Sequence, residues 1–257
     1  MKIVLILEGN FLKKKYSLGA IIIAIILAVA TNYMKEQEPT KTTNVSNEVK
    51  QAKIIKNPKK NIDNLSQLSN YDGQHVVITI HQNQPTFSQA ELSLANGSWQ
   101  RFSELDTKNR VGQADAMLGY DLMPRKKRED ISKVYPTGWR QKKMSNGEFI
   151  YNRSHLIAHQ LTGENANWKN LFTGTEMMNQ EYMTQYEQPV ADYIKRTKHH
   201  VRYQVKPIFM GDELVCRGVQ MQAKSIEDDQ ISYNVFIYNV EPGYTINYLT
   251  GQATKAN

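Results

Sequence analysis

A histidine, several amides and a carboxylate lie close together between residues 151 and 187. His155 is followed by Asn179 and, eight positions later, by Glu187. Neutral imidazole has a pKa near ~6.5, so His155 could accept a proton at physiological pH. The amide oxygen of Asn179 suits a hard cation such as Mg²⁺, which prefers oxygen ligands and keeps several waters. Together these groups could activate water and stabilise charge on a phosphodiester, the two needs of its hydrolysis.

The spacing of Asn179 and Glu187 predicts that both side chains lie on one face of a helix. Eight positions correspond to just over two helical turns. From that position Glu187 could orient the waters that surround a cation held by Asn179. The neutral amide would leave the full charge of the cation facing the phosphate.

Four short motifs carry a resemblance to a known family. They are Tyr-Asn-Arg-Ser-His at 151–155, Asn-Leu-Phe-Thr-Gly-Thr at 170–175, Met-Asn-Gln at 178–180 and Tyr-Glu at 186–187. In order and spacing they resemble the DNA/RNA non-specific endonucleases, whose site is a ββα-metal (His–metal) finger. The resemblance is strongest to the secreted and surface-anchored Gram-positive branch, the streptodornase and DNA-entry nuclease type, and covers residues 70–252.

The resemblance implies a role for each matching residue. His155 would be the general base, Asn179 the direct ligand of Mg²⁺ (with Mn²⁺ as a substitute), and Glu187 the water-orienting carboxylate. Asn170 would be an amide that supports the site, and Arg153 matches the arginine of the family two residues before the histidine. The implied activity is sequence-non-specific cleavage of DNA that leaves 5′-phosphates, with RNA as an open alternative substrate.

The chain departs from the usual Asp-Arg-Gly-His motif at two positions, which Asn152 and Ser154 occupy. Asn152 cannot accept hydrogen bonds as a charged carboxylate would, so the group that orients the imidazole stays open. An arginine that some members carry four residues after the glutamate falls on Ala191. Lys195 or Arg196 is a candidate replacement.

A run of four cations precedes the histidine motif: Arg125, Lys126, Lys127 and Arg128. The whole chain carries a formal charge of +7, which is compatible with nucleic acid without being diagnostic of it. Such a run could contact phosphates without regard to sequence. The alternative is a solvated surface loop.

Three other interpretations are less favoured. His155 and His159 have the spacing of a zinc-binding helix, but the glutamate that follows the first histidine in metalloproteases is absent. Cys216 is the single cysteine, so no internal disulfide can form, and it is predicted to be a buried apolar residue rather than a nucleophile. A surface nucleic-acid-binding protein for DNA uptake that has lost catalysis is the alternative function. The presence of a base, a ligand and a carboxylate argues against it.

The N-terminal composition predicts export from a Gram-positive cell. Residues 1–30 combine three lysines at 13–15 with an apolar run over 18–30, which is typical of a signal peptide or an uncleaved membrane anchor. The polar residues 31–69 are typical of a disordered linker. Residues 70–257 would form the nuclease domain outside the cell, secreted or on the outer face of the membrane. Contact with the membrane is expected only if the first segment stays uncleaved.

The patterning predicts an α+β fold: an antiparallel β-sheet core with a ββα-metal finger, preceded by the signal or anchor segment and the stalk. A capping-box pattern at Thr173 and Glu176 predicts a helix that starts near Thr175, breaks or kinks at Pro189 and continues to about Arg196. The other predicted elements are strands at 75–80, 99–105, 148–151, 201–209, 213–223 and 231–240, and a short helix at 112–118.

Overall fold

The computed structural model describes residues 60–256. The predicted signal or anchor segment at 1–30 and most of the predicted linker lie outside the described residues. Among residues 60–256, no helix is both long enough and apolar enough to cross a bilayer. Asn61 and Ile62 already form a strand, eight residues ahead of the predicted start of the domain.

A seven-stranded sheet forms the centre of the protein, with the spatial order β1-β2-β9-β8-β7-β4-β3. All neighbouring strands are antiparallel except β1 and β2, which run parallel. The strands are β1 (Asn61–Ile62), β2 (Val77–Ile80), β3 (Trp99–Phe102), β4 (Ala114–Leu118), β7 (Val201–Ile208), β8 (Gly218–Ser225) and β9 (Ser232–Tyr238).

Two hairpins and two α-helices complete the regular structure. The hairpins pair β5 (Tyr151–His155) with β6 (Leu171–Thr175), and β10 (Tyr244–Ile246) with β11 (Ala253–Lys255). The helices are α1 (His159–Thr162) and α2 (Thr184–Thr197), the second preceded by a π-helical segment (Met177–Met183). Short 3₁₀ turns lie at Leu65–Gln67, His81–Asn83 and Tyr120–Leu122. The α+β prediction is confirmed.

Alternation along the strands gives the sheet two different faces. Val201, Tyr203 and Val205 of β7 point to one side, into the main apolar core, while Arg202 and Gln204 point to the other. The π-helical segment and α2 cover the apolar face, and the buried residues of α2 belong to the same core. This packing places the helix that carries Glu187 directly on the sheet.

The prediction of a short helix at 112–118 is wrong, because these residues form β4. Alanine, methionine and leucine favour helices when taken alone. Here Ala114, Ala116 and Leu118 alternate into the core, and β4 pairs with both β3 and β7. The pairing of β4 with β7, more than eighty positions later in the sequence, therefore outweighs the local helix propensity of these residues.

Of the predicted break or kink at Pro189, a break does not occur, since α2 runs through the proline to Thr197, close to the predicted end at Arg196. The proline removes one backbone hydrogen bond from the helix. Tyr186, Val190 and Ile194 on both sides of it are buried against the sheet, so tertiary packing holds the helix together.

Candidate active site

The β5–β6 hairpin places His155 at the end of a strand, next to the helix that follows β6. In the register of this pair, Arg153 lies opposite Thr173 and His155 lies opposite Leu171. The strand occupies 151–155 rather than the predicted 148–151, and Phe149 contributes only an isolated bridge. His155 is therefore the last residue of the strand, as the motif suggested.

Hydrogen bonding defines the tautomer of His155. Its Nε2 lies 2.8 Å from the backbone carbonyl oxygen of Asn165, and only a protonated nitrogen can donate to a carbonyl. In the neutral imidazole, Nδ1 therefore keeps the lone pair. The guanidinium Nη2 of Arg128 lies 3.4 Å from this Nδ1. The basic nitrogen thus faces the guanidinium of an exposed arginine, while the other nitrogen is held by the backbone.

The imidazole of His155 is buried and stays neutral over a wide pH range. Burial lowers its pKa from 6.5 to about 4; the Asn165 carbonyl opposes the shift, and the charges of Arg128 and His159 add to it. At neutral pH the side chain is an unprotonated base.

Asn170 positions the segment that follows His155. Its Oδ1 accepts from the Ile157 amide at 2.9 Å and its Nδ2 donates to the Ile157 carbonyl at 3.0 Å. The Leu156 amide donates to the Asn170 backbone carbonyl at 2.8 Å. The side chain is completely buried, so it extends the strand pairing beyond His155 and supports the site without facing it.

The helix that carries Asn179 starts next to Thr175, as predicted, but with another cap. Thr173 lies in β6 and its hydroxyl donates to the Thr137 carbonyl, so the capping-box prediction is wrong. The hydroxyl of Thr175 instead accepts from the Met178 amide at 3.2 Å. Asn179 is the third residue of the π-helical segment, which agrees with its predicted position in the first turns.

The π-helical segment brings the side chains of Asn179 and Glu187 closer to the same face of the helix. In an α-helix, positions eight apart differ by about 80° beyond two full turns. A π-helix bonds residue i to i+5 and so rotates less per residue, which reduces this angle. The predicted common face therefore depends on a helix type that spacing alone did not indicate.

Glu187 is a buried carboxylate without a protein partner. Its exposed fraction is 6%, and within residues 60–256 it makes no hydrogen bond or ion pair. Burial raises its pKa to about 8, and the charge of Arg128 lowers it only in part. A second cation close to this carboxylate would offset the cost of burying its negative charge.

The donor set fits a hydrated divalent cation. Asn179 is half-buried, and its amide makes no hydrogen bond within the described part of the chain, which leaves its oxygen free to bind. No group of three or more histidine, cysteine, aspartate or glutamate side chains converges within residues 60–256. Mg²⁺ needs few protein ligands because it keeps most of its waters, and it fits a neutral amide with a nearby carboxylate.

The Arg153 side chain contacts a neighbouring loop. Its guanidinium donates to the carbonyls of Val134 and Ser132 and lies 4.3 Å from the ring centre of Trp139. Arg153 thus ties β5 to the loop at 132–139.

Ser154, which replaces the usual glycine, fits because Gly174 has no side chain. A Cβ added at Gly174 would lie 2.2 Å from the Ser154 hydroxyl oxygen. The amide nitrogen of Asn152, which replaces the usual aspartate, is buried without a partner. The imidazole is oriented by the Asn165 carbonyl instead, which answers the question that the sequence left open.

The basic run divides into two parts. Arg128 reaches His155, as described. Arg125, Lys126 and Lys127 line an open cavity of about 400 Å³ together with His159. All four cations are exposed. Three cations therefore lie beside the site and one lies within it.

The remaining candidates lie elsewhere. Arg196 donates to the Gln230 side chain at the far end of α2, so it does not replace the arginine missing at Ala191. His155 lies on a strand and His159 on a separate four-residue helix, so they do not form the zinc-binding face of one helix. Burial raises the pKa of the Cys216 thiol to about 12, which leaves it unreactive.

Two functional groups escaped the sequence analysis. Arg128 was assigned only to phosphate contacts, and no sequence signal indicates that it reaches a histidine 27 positions later. Asn165 acts through its backbone carbonyl, which residue identity does not reveal. The polar, asparagine-rich connection from 165 to 170 was the only available hint.

Comparison with known proteins identifies a family for this chain and solved structures with a similar fold. A family model described as DNA/RNA non-specific endonuclease matches residues 92–227, just over half of the chain. NucA from Streptococcus agalactiae with no metal bound is 25% identical, with a TM-score of 0.60, over 68% of this chain and 85% of that one. Its magnesium-bound form is 24% identical, with a TM-score of 0.61, over 68% and 86%. Sda1 nuclease with bound zinc ion is 28% identical, with a TM-score of 0.55, over 62% and 80%.

Proposed function

The chain belongs to the DNA/RNA non-specific endonuclease family and is a nucleic-acid hydrolase, and we propose that it is an exported, Mg²⁺-dependent enzyme that cuts DNA without sequence preference. RNA is a second candidate substrate. The observation that carries the proposal is the fixed tautomer of His155, which presents an unprotonated Nδ1 beside Arg128.

The reaction begins with proton transfer to His155. A water attacks the phosphorus, its proton passes to Nδ1, and the bond to the 3′ oxygen breaks. The products are a 5′-phosphate and a 3′-hydroxyl that takes a proton from solvent. The hydrogen bond to the Asn165 carbonyl stabilises the imidazolium that forms, since this carbonyl favours the charged form.

Arg128 links substrate binding to the basicity of His155. In the free protein its guanidinium lies beside Nδ1 and helps to hold the pKa of the imidazole low. A phosphate is a better partner for a guanidinium than a neutral nitrogen. When Arg128 turns to the scissile phosphate, it leaves room for the attacking water, and the base becomes stronger beside the bound anion.

Asn179 and Glu187 would hold the cation. When bound, the ion would neutralise charge on the phosphate and on the leaving 3′ oxygen. Asn179 would supply an oxygen ligand, and Glu187 would accept hydrogen bonds from ordered water and so orient it. The buried, unpartnered carboxylate of Glu187 supports this assignment.

Export is proposed from the N-terminal pattern of lysines followed by an apolar run. A cleaved signal and an uncleaved anchor both leave the catalytic domain outside the cell. Extracellular DNA would then be the available substrate.

A plasmid assay tests the proposal. Supercoiled DNA incubated with the protein and Mg²⁺ should become nicked, then linear, then fragmented, and the ends should be ligatable because they carry 5′-phosphates. Chelator should stop the reaction. A shift of plasmid mobility without any shortening would instead identify a binding protein that has lost catalysis.

A further inference from the structure

A pocket with two exposed aromatic walls borders the catalytic hairpin. Its volume is about 300 Å³, and its lining includes Tyr135, Trp168, Asn109, Thr137 and Leu171. Small-molecule pockets usually measure about 300–1,000 Å³, so this one suits a single small planar group. None of the residues assigned to the catalytic steps lines this pocket.

Two aromatic side chains of the pocket are largely exposed on ordered backbone. Tyr135 is 61% exposed and Trp168 is 51% exposed. Tyr135 lies between the buried Val134 and Pro136, and the Arg153 guanidinium is 5.2 Å from its ring centre. The backbone at Trp168 is held in a tight turn, closed by the Asn170 amide on the Asn167 carbonyl at 3.0 Å. Both rings are therefore accessible to a ligand from solvent.

The pocket lies next to the proposed base. Leu171, one of its walls, is directly opposite His155 in the β5–β6 pair, and opposite side chains lie on the same face about 5 Å apart. Trp168 is three residues from Asn165, whose carbonyl holds His155. Three residues span at most about 11 Å. Trp168 therefore lies within the reach of a nucleotide beside the scissile phosphate, and Tyr135 lines the same pocket.

The charges around the pocket favour a polyanion. The Arg153 guanidinium lies 5.2 Å from the Tyr135 ring centre, and Lys133 is exposed two residues before Tyr135. Asp130 lies within Coulombic reach of both cations, so these three groups leave a net positive charge. Glu104 pairs with Lys169 and Asp106 pairs with Arg110, so neither pair adds a net charge.

We propose that this pocket is a subsite for one unpaired nucleobase, which stacks on Trp168 and Tyr135 while the adjacent phosphate lies at His155. Every base has a flat face, so stacking tolerates any sequence. The Asn109 amide at the rim offers both donors and an acceptor to the edge of a base. The subsite rests on the proposed function and adds to it a preference for single-stranded or locally unpaired stretches of the nucleic acid.

Binding without cleavage tests the subsite. In a His155→Ala background, the affinities for labelled oligothymidylate and for a hairpin duplex of equal length are measured by fluorescence anisotropy. Trp168→Ala should weaken single-strand binding by about 5- to 100-fold, the range expected for one lost stacking contact. Duplex binding should change by less than about twofold, because its bases stay stacked on each other. Tyr135→Ala should act in the same direction.

Two matched variants keep the test sharp. Trp168→Phe retains a stacking face and should recover most of the single-strand affinity. Phe149→Ala removes another aromatic ring, 49% exposed, from outside this pocket and should change neither affinity. Equal losses for both nucleic acids, or no loss in Trp168→Ala with unchanged melting temperature, would overturn the subsite. Absence of bis-nitrophenyl phosphate hydrolysis by the unmodified protein would instead count against the proposed function, since that substrate has no base.

Discussion

Two clusters of buried charged groups lie on opposite faces of the central sheet, and they differ in how well they are partnered. On the face away from α2, Arg202 is 2% exposed and donates to Asp115 and to the carbonyls of Ala116 and Tyr203. The rings of Phe87 and Trp99 lie 4.7 and 5.1 Å from its guanidinium. On the face towards α2, the charge of Arg128 is the only one among residues 60–256 that acts to offset the burial of Glu187.

The pKa shifts of the two carboxylates express this difference. Burial raises the pKa of Asp115, but hydrogen bonds from Gln204, Arg202 and Gln113 outweigh it and the net shift is downward. At Glu187 burial outweighs its one neighbouring cation, and the pKa rises to about 8. A buried charge whose hydrogen bonds and ion pairs all come from the protein has a structural role. A buried charge without such partners indicates a place where a ligand is expected to bind.

The largest effect is expected at the cation site. Asn179→Ala should abolish most activity, and excess Mg²⁺ or Mn²⁺ should restore it only in part, because the remaining contacts run through water. Glu187→Ala should cost about 10–100-fold, the usual loss for a group that acts through water. Steady-state rates on plasmid at saturating metal compare the two. If Glu187→Ala is the more damaged variant, the two roles are reversed.

The paired cluster should respond in stability and leave catalysis intact. Asp115→Ala leaves Arg202 buried without its carboxylate and should lower the free energy of unfolding by about 3–5 kcal/mol. Asp212→Ala is the matched control, since it removes an exposed ion pair with Lys108 and should leave stability nearly unchanged. Urea denaturation measures both. The activity per folded molecule should stay near that of the wild type in both variants. A large loss of this activity in Asp115→Ala would contradict the assignment of a purely structural role to the Arg202–Asp115 cluster.

The buried imidazole should make stability depend on pH. The pKa of His155 is about 4 in the folded protein and ~6.5 in an unfolded chain. As pH falls from 6.5 to 4, the unfolded state takes a proton that the folded state refuses, so stability decreases. The loss should reach at most about 3 kcal/mol in metal-free protein. Urea denaturation at pH 7 and 4.5 should show a smaller decrease for His155→Gln than for wild type or His200→Gln, and equal decreases in all three proteins would contradict the shift.

The basic run should separate binding from chemistry. Replacing Arg125, Lys126 and Lys127 by Gln should make the slope of log affinity against log salt shallower by up to about 0.9 per phosphate contact on duplex DNA. The loss should be the same for every sequence, and hydrolysis of a small phosphodiester should be unchanged. Arg128→Gln should lower turnover as well, because the guanidinium of Arg128 lies beside His155, the proposed general base. An unchanged salt slope in the triple variant would make that part of the run a solvated loop.

The sequence predicted the parts of the site that depend on local pattern. His155 lies at a strand end, Asn179 in the first helical turns, and the three strands after residue 200 form an antiparallel meander. The second of them starts five residues later than predicted, at Gly218. Features that depend on distant contacts were missed or mistaken. β4 is a strand because β3 and β7 pair with it, and Arg128 reaches His155 across 27 positions.

The central claim is that the Nδ1 atom of His155 accepts the proton of the attacking water. The most direct test compares wild type, His155→Ala and the control His200→Ala on supercoiled plasmid at saturating Mg²⁺, with DNA affinity measured in parallel. The account predicts that His155→Ala lowers turnover by about 10²–10⁴ while affinity changes little and His200→Ala behaves as wild type. A turnover of His155→Ala within about threefold of wild type would contradict the claim, because the loss would be far smaller than the contribution of a positioned base.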